Sequence, residues 1–307
     1  MDKPAEKRPI AWQPLTPKGV AAFATAKLGR VWLIQLIIAI IAGVCVAWCL
    51  SSTWIPVITS AVDQLPDKAE IRRATLNWDG ESPRRLADNQ FLSVAVDLKH
   101  EGLARSPAHI QAELGEKTVK VMSLLGFVEA PYPDGWLVSL TRAEAQPWWG
   151  AWKLPILWIA GAATVCVLMV IWTILSTVYF VPAWMVAFFA NKQSTLAGVW
   201  RVCAAALMPG ALVFCASIIF YGVGALDLPE LALLAAIHIA VGWVYLATAL
   251  ICLPERPEEI NEKENPFAMA RAAQQMGHNP FTKRTMNVNP FVAGAQEEKP
   301  RETPESL

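Results

Sequence analysis

Charge is scarce in this sequence. Asp, Glu, Lys and Arg make up 17% of its 307 residues, against roughly 25% in an ordinary soluble domain. That argues against a disordered chain or a simple cytosolic globule. Net charge is missing too: Lys+Arg and Asp+Glu number 26 each, so no cationic excess favours nucleic acid. Cysteine is absent between Thr53 and Lys153. All six cysteines (Cys45, Cys49, Cys166, Cys203, Cys215, Cys252) sit in apolar runs, where a thiol behaves as a small hydrophobe. The intervening stretch has no disulfide staple and no cysteine-based metal spacing. Cys45 and Cys49, one helical turn apart, suit packing better than redox chemistry. Catalytic signatures are lacking as well. There is no G-x-S-x-G nucleophile motif, and Gly115-Glu116-Lys117-Thr118 lacks the Gly-Lys pair and leading glycine of a phosphate loop. Asp97, His100, Glu101 and His109 match no metal-ligand spacing and suit a wet loop. The expectation is a non-enzymatic protein without a cofactor.

What is abundant is apolar length. Val31–Ser51, Leu154–Val178, Val202–Leu226 and Leu231–Leu253 are each long enough, at 1.5 Å per residue, to cross a hydrocarbon core of about 30 Å. Backbone polar groups in lipid must be paired within the segment, so four spanning helices are predicted. The first run is longer than a signal-peptide core, follows too long a leader and has no A-x-A site after it, so it reads as an anchor.

Basic residues set the orientation. Lys18, Lys27 and Arg30 precede the first span, Lys192 and Arg201 lie between the second and third, and Arg256 and Lys263 follow the fourth. The loop with Asp227 and Glu230 has no Lys or Arg. By the positive-inside tendency both termini are cytoplasmic, in a bacterial inner membrane. Trp48, Trp54, Trp148, Trp149, Trp152 and Trp158 then cluster at the outer boundary, with Trp32, Trp184 and Trp200 toward the inner one, as interfacial anchors. The block from Leu154 to Ala190 is too long for one straight span. Pro182 predicts a break, with a span to about Val178 and a bent interfacial helix over Tyr179–Ala190. A fifth span would put the C-terminus outside, against the charges.

Thr53–Lys153 has ordinary soluble composition and alternating patterns. Leu76 and Trp78, then Leu92, Val94, Val96 and Leu98, then Ile110, Ala112 and Leu114 alternate with polar or small residues. Gly115-Glu116 reads as a two-residue hairpin turn before Val119 and Val121, and Pro133-Asp134-Gly135 as a turn into Trp136–Leu140. Trp54–Leu65 suits a short helix ended by Pro66. The fold class predicted is an α-helical membrane bundle of four transmembrane helices with a small antiparallel β (α+β) extracytoplasmic domain after helix 1. The boundaries are a cytoplasmic segment 1–30, helix 1 at 31–51, the β-rich domain 52–153, helices 2–4 with the interfacial segment 179–190 inside 154–253, and a mostly disordered tail 254–307.

The tail repeats one tripeptide three times: Asn265-Pro266-Phe267, Asn279-Pro280-Phe281 and Asn289-Pro290-Phe291. Asn initiates a turn, Pro fixes the next φ, and Phe is presented as an anchor. The repeats read as a multivalent motif for a protein partner, each copy weak alone, or as phenylalanines folding back on the bundle or headgroups. The tripeptide is similar to the ligand of eukaryotic EH domains, a partner that nothing else in the sequence supports.

His238 is the one ionisable residue well inside a span, a functional hypothesis by default. Ala235 and Gly242 share its face, and Ser217 and Tyr221 on the third span are candidate hydrogen-bond partners. A relay needs more than one such group, so a structural, hydrogen-bonded histidine is expected. Ala39, Gly43 and Ala47 form a small-residue stripe suited to close helix packing within the chain or in a homo- or hetero-oligomer.

Leu65-Pro66 after the first span, the strand-like runs at Ile71, Leu76 and Val94–Asp97, and Pro182 and Pro209 later in the chain resemble a bacterial family of Yip-like multi-pass membrane proteins of unknown function. The resemblance covers about residues 15–253 and leaves out the tail. It implies a multi-pass bundle and no catalytic residue. The function expected is a scaffold, sensing or assembly component, in contact with the lipid bilayer, that recruits partners through its tail. The competing expectation is an accessory subunit of a transporter.

Overall fold

The computed structural model describes residues 12–124, 126–135 and 137–256. The Asn-Pro-Phe repeats fall outside the described residues. Within them, four helices are long and apolar enough to cross a membrane. Helix α1 is a single capped turn, Pro17–Ala22, and α2 (Leu28–Thr53) runs directly into α3 (Ile55–Asp63). After eight strands come α4 (Arg142–Phe189), α5 (Leu196–Gly222) and α6 (Leu228–Ile251).

Helix α5 is the centre of the bundle. Its residues Val202–Ala206 and Met208–Ala211 are buried, packed by α2, α4 and α6. Small residues let backbones approach. A Cβ on Gly43 of α2 would lie 2.7 Å from the Gly161 carbonyl oxygen of α4, and one on Gly210 of α5 would lie 2.3 Å from the His238 carbonyl oxygen of α6. The Ala39-Gly43-Ala47 stripe thus serves packing inside the chain, against α4.

Helix ends are chemically specified. At the end of α4, Asn191 takes φ 54° while the N–H groups of Asn191 and Lys192 bond the carbonyls of Phe188 and Ala187. Gly224 (φ 76°) does the same after α5, with Gly224 and Ala225 bonding Tyr221 and Phe220. Both are Schellman stops, satisfying carbonyls left over at a helix end. Helix α6 opens with a capping box of Asp227 and Glu230.

Two expectations change here. The break at Pro182 is not found. Helix α4 is one element of 48 residues with Pro147, Pro155 and Pro182 inside it, about 70 Å long at 1.5 Å per residue. Its first turns lie beyond the apolar run, fixed to α3 by Gln146 Nε2 to Asp63 Oδ1 (2.6 Å) and Trp149 Nε1 to Thr59 Oγ1 (2.9 Å). Trp149 is buried in that contact rather than set out as an anchor. The described part of the N-terminal segment, from Trp12 on, for which the sequence suggests only charge, is folded. Val20 and Phe23 are fully buried against the bundle, Arg201 Nη2 donates to the Ala24 carbonyl (2.7 Å), and Tyr245 Oη donates to the Leu15 carbonyl (2.8 Å).

The strands form two sheets rather than one. Antiparallel β1 (Ala69–Arg72), β2 (Thr75–Trp78) and β8 (Leu137–Ser139) are ordered β2-β1-β8. The larger sheet runs β3 (Arg84–Asp88), β4 (Leu92–Val96), β5 (Ile110–Leu114), β6 (Thr118–Ser123), β7 (Gly126–Pro131) in that order. All its neighbours are antiparallel except β4 and β5, which pair in parallel from Leu92↔Ile110 to Val96↔Leu114. The expectation of a wholly antiparallel sheet is corrected at that step. Parallel pairing needs a crossover, supplied by the loop from Asp97 to His109. Buried side chains pin that loop: Asp97 Oδ2 accepts from Gly102 N (2.9 Å), and Gln111 Oε1 from Ser106 N (2.9 Å). The β5–β6 turn sits one residue later than predicted, with Gly115 N bonded to Thr118 O (2.9 Å) around Glu116 and Lys117.

Candidate functional site

Sheet and helices meet at His109, the last residue of the crossover loop. Its backbone N–H bonds the Gln90 carbonyl (2.9 Å), which orients the ring toward α5. There Nδ1 lies 2.9 Å from Tyr221 Oη, in the last turn of α5. The two rings stack at 5.5 Å, and Phe91 meets both edge-on at 5.8 and 5.0 Å. On the other side His109 Nε2 is 3.8 Å from Asp227 Oδ1, the residue capping α6. A second tie lies nearby. Asn89 Nδ2 donates to the Thr53 carbonyl at the end of α2 (2.7 Å), while Asn89 Oδ1 accepts from the N–H groups of Phe91 and Leu92 (2.9 Å each). One short segment, Asn89–Leu92, together with His109 therefore bonds α2 and α5 and approaches α6.

This redistributes the residues singled out in the sequence. Tyr221 bonds His109 rather than His238, and Ser217 Oγ bonds the Val213 carbonyl of its own helix (2.9 Å). His238 stacks on Phe214 of α5 at 5.0 Å, and its Nδ1 is buried without a partner. The hydrogen-bonded histidine expected there is corrected to one held by aromatic stacking. The Tyr221–His109 pair spans 112 positions, and no local pattern announces it.

Asp97, His100, Glu101 and His109 take separate partners. Asp97 caps its own loop, Glu101 lies 3.9 Å from Lys99, and His100 turns to the sheet. There His100 Nδ1 is 2.5 Å from Oε1 of fully buried Glu113, and Nε2 is 2.9 Å from Thr118 Oγ1. Thr118 gives its single proton to Glu129 Oε1 (2.8 Å), so it accepts from Nε2, while Nδ1 faces the Glu113 carboxyl group. Gln111 Nε2 donates to the other Glu113 oxygen (3.3 Å). Gly115 makes room for this ring, since a Cβ there would lie 2.1 Å from His100 Nε2. The network ties the crossover loop to the sheet. Among the described residues no group of three or more His, Cys, Asp or Glu could hold a metal ion.

A cleft of about 580 Å³ lies between α4 and α6. Apart from Tyr179 and Lys192 its lining is apolar, including Pro182, Val186, Trp243 and Leu250. It offers no nucleophile and base within reach of each other. Comparison with protein-family models, with curated proteins and with solved structures finds no match.

Proposed function

We propose that this chain is a non-enzymatic integral membrane protein whose outer β-rich domain is keyed to the ends of its spanning helices, so that an event on that domain is passed to the bundle. In this reading four helices span a bacterial inner membrane, both termini are cytoplasmic, and the tail with Phe267, Phe281 and Phe291 recruits protein partners. The protein is a sensing or assembly component. The observation that carries the proposal is the His109–Tyr221 bond, set beside the Asn89–Thr53 bond, because together they join two adjacent loops of the sheet to two helices.

The side chains on the helix surfaces support a lipid environment. Trp32, Leu33, Ile37, Ile40, Ile41 and Val44 of α2 are each more than two-fifths exposed, and the most apolar window of α4 has none of its residues buried. Water would not tolerate a continuous apolar surface of that extent. The Yip-like resemblance is compatible with this reading but supplies no residue role.

Two measurements test it. Reporter fusions at Asp97 and Leu307 should report opposite sides of the membrane, and a same-side result removes the topology. Affinity purification of the full chain against a truncation after Leu253 should lose specific partners. An unchanged partner set ends the recruiting role of the tail.

A further inference from the structure

We propose that the tip of the β6–β7 hairpin dips into the phospholipid headgroup–acyl boundary beside α5, making a fifth point of membrane contact. This rests on the spanning-helix reading above.

The direction of the sheet sets the argument. Strand β3 lies along α3: Arg84 Nη2 bonds Gln64 Oε1 at the far end (3.4 Å), and Asn89, just past β3, bonds the Thr53 carbonyl at the near end (2.7 Å). The nine residues of α3 separate these ends by about 14 Å. Register carries the polarity across the sheet. Leu92, Ile110, Ser123 and Gly126 form one row, at the end where His109 meets Tyr221. Val96, Leu114, Val119 and Ala130 form the opposite row. Ser123 and Gly126, where β6 and β7 meet, therefore lie on the row that begins beside the end of α5, and Val119 and Ala130 lie on the opposite row.

Burial along the sheet's apolar face runs opposite to a soluble domain's expectation. At the far row Val96 and Leu114 pack on Ala61 and Leu65, and Val119 packs with Leu76 and Tyr132. At the near corner that cover stops. Val121, Leu124 and Val128 are 42%, 68% and 71% exposed, and Phe127 on the other face is 64% exposed. Within the described residues of the five-stranded sheet, uncovered apolar side chains gather at the corner of the row that begins beside His109 and the end of α5. Lipid at the level of that helix end would cover the corner without a further protein.

The test is an environment-sensitive fluorescent amino acid at Leu124 or Val128 in the full chain, reconstituted in phosphatidylcholine–phosphatidylglycerol vesicles with or without brominated acyl chains. Positions 117, 223 and 167 serve as references for water, the α5 end and the spanning part of α4. The expected result is quenching at 124 and 128 within about twofold of that at 223, with none at 117. If 124 and 128 behave like 117 while 167 and 223 are quenched, the hairpin proposal falls and the spanning reading stands. Absence of quenching at 167 as well removes the spanning reading. Labels at 124 and 128 shielded from both brominated lipid and aqueous iodide would mean that protein covers the corner, which also overturns the proposal.

Discussion

Replacing Gly210 by alanine should separate two helices that now touch backbone to backbone. The new methyl would stand 2.3 Å from the His238 carbonyl oxygen, and that oxygen belongs to the α6 ladder and cannot swing aside. Ordinary contact requires the helices to part by about 1 Å, with an overpacking cost of about 1–3 kcal/mol. Alanine also gains about 1 kcal/mol over glycine in a helix interior, so the net loss should reach up to about 2 kcal/mol. The internal control is Gly150 in α4, where a Cβ meets nothing within 4 Å. There Gly150→Ala should keep only the propensity gain and stabilise. Thermal unfolding of both variants in the same detergent reads the difference as Tm shifts of opposite sign. If Gly210→Ala melts at or above the parent temperature, α5 and α6 do not approach at this glycine and the bundle's packing is misread.

Tyr221→Phe removes the hydroxyl that bonds His109 but keeps the ring beside Phe91. A double-mutant cycle with His109→Ala should give a coupling of about 1 kcal/mol, and strict additivity would show that the junction carries no bond worth counting. Glu113→Gln leaves His100 and Gln111 facing an amide instead of a buried carboxylate. A loss of about 2–3 kcal/mol is expected in thermal melts, whereas unchanged melting would deny the network its structural part. Burial pushes the Tyr132 hydroxyl, which donates to the Gly115 carbonyl at 3.0 Å, up to about 12. The unfolded phenol ionises first, so this contribution to stability is full below pH 10 and is lost as pH rises toward 12. Tyr132→Phe should flatten that alkaline slope in pH-dependent melting, and an unaltered slope would place the titration elsewhere.

The parts of the fold readable in the sequence are those whose signal is local. An apolar run longer than a bilayer core has few alternatives to helix, and α2, α4, α5 and α6 lie where those runs lie. Trp54–Leu65, closed by Pro66, announced α3 for the same reason. Alternation in β4 and β5 told which face each residue takes but carried no information on strand direction, so the parallel pairing was invisible. The β1–β2 turn uses Arg73 and Ala74 at φ 52° and 58°, positions where glycine or asparagine would have been the readable choice. Pro182 misled because a proline costs one hydrogen bond, which a long helix packed on its neighbours can absorb. His109 meeting Tyr221 depends on the crossover loop returning to the helix ends, and nothing within either segment encodes that distance.

The buried N-terminal turn has a consequence for the order of synthesis. The short helices that carry Val20 and Phe23 pack on α5 and α6, and the Ala24 carbonyl accepts from Arg201. The ribosome must add nearly the whole helical part before Val20 and Phe23 have a place to dock. The chain's opening segment thus acts as a latch that closes last, and a bulky fusion placed just ahead of Trp12 would interfere with completion of the molecule rather than with its insertion.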